Sequence, residues 1–229
     1  MPLKRLSKLG QVLKQISKVK AMNLLECLVA IALSMVLLNP MLKTSADLLA
    51  KQIEYEKRQA LASEADRAFE LIGRALRVAG YRNIHSKQQR KQKDQFIQVQ
   101  KKSGYRGSDS LMVQYELSTE VDFDCIGNVL NQERTQHGLA RQGFLVDRQA
   151  GIAKGTKVNG GSLICQSLDR QGRVQNTTLM NGVNVLLIEE LVTPEKLSPQ
   201  KLFKVSLQMT DGALFNIDLE RTFSTRNLP

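Results

Sequence analysis

The spacing of hydrophobic positions along the chain changes twice, and each pattern predicts a different element. Residues 21–42 are almost entirely apolar, and Glu26 is their only charged residue. As a helix at about 1.5 Å per residue, this run would span roughly 33 Å, enough to cross a bilayer. Apolar residues then recur at helical spacing from Leu49 to Ala79, opposite a charged face. The pattern predicts a nearly continuous helix that tolerates Pro40 as a kink and stops at Gly80.

From Phe96 onward the hydrophobic period falls to about two, which is typical of strands. Gly and Asn residues at 151–161 indicate a long loop, and Thr210-Asp211-Gly212 indicates a tight hairpin. The expected fold is therefore α+β: a long N-terminal helix packed on a C-terminal antiparallel β-sheet. The predicted strands lie at 96–100, 110–117, 143–147, 162–168, 183–191, 201–209 and 213–223.

The charge of the chain is concentrated at its N-terminus. Of the formal net charge of +11, six positive charges lie in the first 21 residues, which contain no acid, so the remainder carries +5. Part of that surplus comes from the run Lys87–Lys93, which is expected to be a solvated loop. No aromatic residue interleaves this run to stack on bases, so nucleic-acid binding is not expected.

The basic N-terminus also predicts how the apolar segment crosses the membrane. Only Lys43 and Asp47 follow the segment closely, so the positive-inside rule places the N-terminus in the cytoplasm and everything after Lys43 outside it. Three interpretations of the segment remain: a signal anchor, a signal peptide cleaved after Ala46, and a basic leader that is cut off before Met22. A carboxylate near the edge of a spanning helix costs about 2 to 3 kcal/mol and is rarely kept without a partner. A free α-amino group at Met22 would give Glu26 such a partner, which favours the third interpretation.

The three cysteines divide by their surroundings. Cys27 lies in the apolar run, where a thiol behaves as a small hydrophobic group. Cys125 and Cys165 lie in the strand-rich part and would pair if that part faces an oxidising compartment, whereas in the cytosol they would remain free thiols. Such a bond would stabilise the fold by roughly 4 kcal/mol in the chain-entropy model.

No pattern in the sequence predicts catalysis, a metal or a cofactor. The two histidines, His85 and His137, have no second ligand at a metal-binding spacing. Glu189 and Glu190 are adjacent on a predicted strand, so their side chains would point to opposite faces. Nucleophile elbows and phosphate-binding loops do not occur in the sequence.

The segment Ala21-Met22-Asn23-Leu24-Leu25-Glu26-Cys27-Leu28-Val29-Ala30 resembles the processing motif of type IV prepilins. In that family a small residue, usually Gly, precedes the cut, the first mature residue is hydrophobic and N-methylated, and the fifth is Glu. Met22 and Glu26 match, and Ala21 stands in the place of the Gly. The resemblance implies cleavage after Ala21, methylation of Met22, and pairing of Glu26 with a neighbouring subunit in the membrane.

Later segments resemble the PilW-type minor pilins. They are the arginine-rich helix end at 67–83, the strand at 109–116, the cysteine segments at 124–128 and 163–167, and the C-terminal RTFSTRN at 221–227. The resemblance implies a leader at 1–21, a transmembrane helix at 22–45, a periplasmic helix part at 46–80 and a β-rich head at 81–229. The implied location is the inner membrane, in a single pass with a periplasmic head, and the pilus tip is a further candidate.

The implied function is assembly of a type IV pilus rather than catalysis, in a priming complex or filament. The implied partners are other minor pilins, the major pilin, the prepilin peptidase and the inner-membrane assembly platform. A J-type minor pseudopilin of type II secretion shares the helix and its arginine-rich end and is the first alternative. A secreted periplasmic enzyme beginning at Asp47, and a DNA-uptake protein binding through Lys87, Arg90, Lys91 and Lys93, are the others.

Overall fold

This computed structural model describes residues 23–83, 96–136, 138–152, 160–191, 200–212 and 215–227. Within these residues the chain forms one α-helix and nine strands. Helix α1 runs over Leu24–Val78. Short 3-10 helices lie at Tyr105–Gly107 and Gln132–Arg134. The strands are β1 (Ile97–Gln100), β2 (Ser110–Glu116), β3 (Asp122–Phe123), β4 (Val129–Leu130), β5 (Leu139–Asp147), β6 (Gly161–Leu168), β7 (Val174–Leu191), β8 (Leu202–Thr210) and β9 (Asn216–Ser224).

Internal contacts divide the chain into two units, residues 1–54 and 55–229. In the first unit the described residues form the N-terminal part of α1, and residues 23–53 are all exposed. The second unit contains the rest of α1 and all the strands.

Helix α1 continues through Pro40 and ends at Val78, two residues before a glycine. Proline has no N–H to donate, so it removes one helix hydrogen bond and is normally disfavoured in a helix interior. Thr44 lies one helical turn after Pro40, and its hydroxyl donates to the carbonyl oxygen of Pro40 at 3.0 Å. At the other end, Gly80 has a φ of 75°, a left-handed conformation that stops the helix and is easiest for glycine.

Seven strands form one antiparallel sheet in the order β1-β2-β5-β6-β7-β8-β9, and β3 and β4 pair in a separate two-stranded sheet. The long strand β7 pairs with a different neighbour along each of its halves. Its first half pairs with β6 and its second half with β8, with register shifts near Gly161–Ile164 and Val183–Val185.

The core of the second unit lies between one face of the seven-stranded sheet and the apolar stripe of α1 after residue 60. Ala65, Ala68 and Ala75 are fully buried, and such small side chains let the helix approach the sheet closely. A Cβ added at Gly73 would lie 2.5 Å from Cε1 of Phe223 on β9. The larger buried side chains that share this core include Phe69, Ile72, Leu76, Phe144, Leu163, Leu186, Ile188, Phe203 and Leu207.

The expected layout, a long apolar helix followed by an antiparallel sheet, is confirmed, and each predicted strand corresponds to an observed one. The differences lie in the boundaries. Strand β5 begins at Leu139 rather than 143, and β7 begins at Val174 rather than 183. Strand β9 begins at Asn216 rather than 213, because Thr210 pairs with Asn216 across a five-residue connection. Strands β3 and β4 were not predicted.

Candidate functional site

The first candidate site is the apolar N-terminal part of α1. Helix α1 is long and apolar enough to cross a membrane, and its most apolar stretch is not buried within the protein. Leu28, Val36 and Leu42 are each at least 60% exposed, although such side chains are normally covered. Signal sequences share this length and composition, so these properties define a candidate anchor rather than a complete functional site.

Glu26 lies in the first turn of α1, and its side chain is exposed. Its backbone N–H donates to the carbonyl oxygen of Asn23 at 2.8 Å. The positive end of the helix dipole lies at this turn, so a carboxylate here is favoured by about 0.3 to 1 kcal/mol. That gain is smaller than the cost of about 2 to 3 kcal/mol for placing a charge in a membrane. A second partner is therefore needed if Glu26 is to remain charged in lipid.

The predicted cleavage and methylation positions, Ala21 and Met22, lie outside the described residues, as do His85, His137 and the basic run Lys87–Lys93. Cys27 is a free, exposed cysteine on α1.

The second predicted site, the cysteine pair, is present as a disulfide. Cys125 and Cys165 are joined, with their Cα atoms 6.2 Å apart. Cys165 lies on β6 in the middle of the sheet and is fully buried, whereas Cys125 lies in the turn between β3 and β4. The bond therefore fixes the β3–β4 hairpin to the central sheet.

Polar contacts hold the same hairpin in place. The Asp124 carboxylate accepts hydrogen bonds from the backbone N–H groups of Ile126 at 3.0 Å and Asn128 at 2.7 Å, which shapes the turn. The Gln142 amide on β5 donates to the carbonyl oxygen of Phe123 at 3.0 Å and to the Tyr115 hydroxyl at 2.8 Å. Burial, and then the nearby Asp122 and Asp124 carboxylates, raise the pKa of Tyr115 well above its ordinary value, so the hydroxyl stays neutral.

A third polar site, which the sequence did not indicate, is the buried carboxylate of Asp109. It accepts hydrogen bonds from the N–H of Ile188 on β7 at 2.9 Å and of Lys102 at 3.0 Å. The Lys101 ammonium lies 3.0 Å from the same carboxylate. Burial opposes ionisation of Asp109, but these donors outweigh it and lower the pKa below the ordinary value of 3.8. Asp109 joins the start of β2 to β7, and its fully engaged oxygens give it a structural role.

In the described ranges, no group of three or more His, Cys, Asp or Glu side chains could hold a metal ion. Glu190 forms an ion pair with Lys201 at 2.8 Å, and Glu189 lies opposite Lys204 in the β7–β8 register. These two carboxylates are therefore placed as surface charges on the sheet.

Comparison of the chain with models of protein families, with curated proteins and with solved structures gave no match.

Proposed function

We propose that this chain is a minor type IV pilin that works by assembly and not as an enzyme. In this proposal the apolar part of α1 anchors it in the bacterial inner membrane, with the N-terminus in the cytoplasm and the β-rich part in the periplasm. The prepilin peptidase cuts after Ala21 and methylates Met22. The chain then joins other minor pilins and the major pilin at the assembly platform.

The observation that carries the proposal is the contrast between the exposed first part of α1 and its later part, which is packed in the core. Residues 24–53 of this single 55-residue helix are exposed and mostly apolar, whereas its residues from Leu61 to Leu76 supply buried side chains to the sheet core. A cleavable signal peptide is removed from the mature protein, so it would not be expected to form one continuous helix with residues of the folded core. The helix suits a subunit whose apolar segment stays attached and is needed after folding.

Glu26 supplies the physical reason for processing in this mechanism. Cleavage before Met22 creates an α-amino group four residues from Glu26, and the amino group of a neighbouring subunit can neutralise the carboxylate. Contacts between helices then replace contacts with lipid as the subunit leaves the bilayer. The disulfide agrees with a periplasmic location, since such bonds persist in oxidising compartments.

The test is to replace Glu26 with Gln, which keeps the size of the side chain and removes its charge. We expect E26Q to insert in the inner membrane at the wild-type level while filament assembly falls by about tenfold or more, as expected when a buried charge loses its partner. Membrane fractionation and counting of surface filaments measure the two effects. C27S, which changes the neighbouring residue without altering charge, is the matched control and should assemble normally. Normal assembly of E26Q would contradict the pairing mechanism.

The N-terminal mass of the native protein separates this proposal from a secreted enzyme. A pilin begins with methylated Met22, whereas a protein released by signal peptidase would begin at Asp47. Asp47 lies in the interior of α1, so the second product would lack the first 23 residues of that helix. A product that starts at Asp47, or one that retains the basic leader, would overturn the proposal.

A further inference from the structure

The β3–β4 hairpin presents an apolar surface that no described part of the chain covers. Val121, Phe123 and Val129 are 62%, 49% and 53% exposed. Phe123 and Val129 are direct partners in the register of β3 and β4, so their side chains lie side by side on the outer face. On the other face, Leu130 is buried with Tyr115 and Ala140. We call Val121, Phe123 and Val129 the hairpin surface.

The hairpin surface is held in place before any partner arrives. The disulfide, the Asp124 turn and the Gln142 amide all fix the backbone on which Phe123 and Val129 stand. A rigid apolar group loses little conformational freedom on binding, so a small surface of this kind can contribute strongly to a contact. Aromatic residues, Phe among them, are enriched in protein interfaces, so the exposed Phe123 on this fixed backbone suits a protein contact.

The charge around the hairpin surface restricts what can bind it. Residues 109–136 contain one base, Arg134, although the whole chain is strongly basic. Glu120 and Glu133 are exposed, and Glu120 directly precedes Val121. These two exposed acids favour a partner that brings positive charge as well as apolar contact. The other acids in this stretch are less available to a partner: Asp109 and Asp124 are buried beside Lys101 and Arg134, and Glu116 and Asp122 are half-buried.

Aromatic rings elsewhere in this protein show which cation suits such a surface. Arg82 lies 5.3 Å from the ring centre of Phe96, Arg221 lies 5.4 Å from that of Phe69, and Arg58 lies 5.6 Å from that of Phe215. Guanidinium groups pack well over aromatic faces. Within the described residues no cation lies over the ring of Phe123, although this side chain is exposed.

A matching surface is present on the chain itself. Arg67, Arg74 and Arg77 are exposed on α1, and Glu70 is the one acid among them. At 100° per residue these positions fall on one side of the helix, and Arg67 and Arg77 are about 15 Å apart along its axis. We call this side the arginine stripe.

We propose that the hairpin surface of one copy of this chain docks on the arginine stripe of a second copy, with a guanidinium group over Phe123. The two surfaces differ, so the contact is heterologous and each copy can engage a further one. This contact between heads goes beyond the proposed function and does not require leader cleavage or pairing of Glu26. A normal result with E26Q would therefore leave it intact.

The test measures association of the full chain in detergent micelles by analytical ultracentrifugation, at low and at high salt. We expect F123A to raise the Kd of the association by about tenfold, as expected for loss of a central aromatic contact. High salt should also weaken the wild-type association. L187S, which alters a side chain that is 42% exposed elsewhere on the sheet, is the matched control and should associate like the wild type.

Charge reversal then identifies the two surfaces. E120K and the double variant R67E/R74E should each weaken self-association, because each brings like charges together. Mixing the two variants should restore association, since the unaltered hairpin surface of one meets the unaltered stripe of the other. Far-UV circular dichroism should show that each variant remains folded. No association of the wild type, an unchanged Kd for F123A, or no recovery on mixing would overturn the proposal.

Discussion

The buried carboxylate of Asp109 connects parts of the fold that are far apart in sequence. It accepts the N–H of Ile188, 79 residues away, while also binding Lys101 and the backbone of Lys102. Hydrogen bonds to a charged group are worth about 1.5 to 3 kcal/mol each, and a donor left unsatisfied in the interior costs a similar amount. This single side chain therefore contributes substantially to the joint between β2 and β7.

Replacing Asp109 with Asn should lower the free energy of unfolding by about 2 to 3 kcal/mol, because the amide nitrogen cannot accept a hydrogen bond. Chemical denaturation of the full chain in detergent, followed by circular dichroism, measures the loss. D66N is the matched control. The Asp66 carboxylate forms an exposed ion pair with Arg221, so the change should stay below about 1 kcal/mol. Equal losses of unfolding free energy in D109N and D66N would contradict the structural role assigned to Asp109.

The same substitution should change the pH dependence of stability. The folded pKa of Asp109 is below its ordinary value of 3.8, so its contribution is fully present above that value. The contribution is lost as the pH falls below 3.8 and through the folded pKa. The difference in stability between wild type and D109N should therefore shrink on acidification, whereas a difference independent of pH would argue against ionisation of Asp109.

At the scale of elements, the packing of α1 on the sheet depends on small residues at the closest contact. Gly73 lies inside α1, five residues before its last residue Val78, and glycine within a helix costs about 1 kcal/mol relative to alanine. The ring of Phe223 on β9 occupies the space that a Cβ at this position would need. Helix propensity therefore favours alanine at position 73, whereas packing favours glycine. The short distance to the Phe223 ring indicates that packing has the larger effect.

Replacing Gly73 with Ala should consequently destabilise the protein, by about 1 to 3 kcal/mol, despite the better helix propensity of alanine. F223L in the same chain should recover part of the loss by removing the ring edge that causes the clash. Thermal unfolding of the full chain, monitored by circular dichroism, compares the three variants G73A, F223L and G73A/F223L. A higher melting temperature for G73A alone would show that the helix can shift to accommodate the methyl group.

The elements that the sequence predicted well are those that bury one face. Strand β2 alternates Leu111, Val113 and Tyr115 on its inner face, and its limits differ by one residue from those expected. The first half of β7 was missed because most of its side chains are exposed, so burial imposes no alternation there. This half is held by backbone pairing with β6, which sequence periodicity does not report.

The candidate sites also differ in how clearly the sequence indicates them. Glu26 was visible because it is a lone charge in an apolar run. Asp109 and Phe123 were not visible, because their significance depends on neighbours from other elements. A two-residue strand such as β3 is too short to show any hydrophobic period. Residues that act through long-range contacts could therefore be identified only from the fold.

For the whole molecule, the compartment decides whether the head is fully stabilised. The Cys125–Cys165 bond closes a loop across a sequence separation of 40 residues. In the chain-entropy model this stabilises the folded state by roughly 4 kcal/mol, which is a large part of the 5 to 15 kcal/mol that keeps a typical domain folded. A head exported to the periplasm would gain this stability, whereas the same head retained in the cytoplasm would lack it.

Replacing both cysteines with serine should therefore lower the free energy of unfolding by roughly 4 kcal/mol, and adding a reductant to the wild type should give a similar loss. Chemical denaturation with and without reductant measures the effect, and C27S is the control that should respond to reductant like the wild type. Non-reducing peptide mass analysis of protein from the periplasm should find Cys125 linked to Cys165. Two free thiols in that material would contradict both the oxidised head and the membrane orientation from which it was inferred, because the orientation requires the strands to fold where disulfides form.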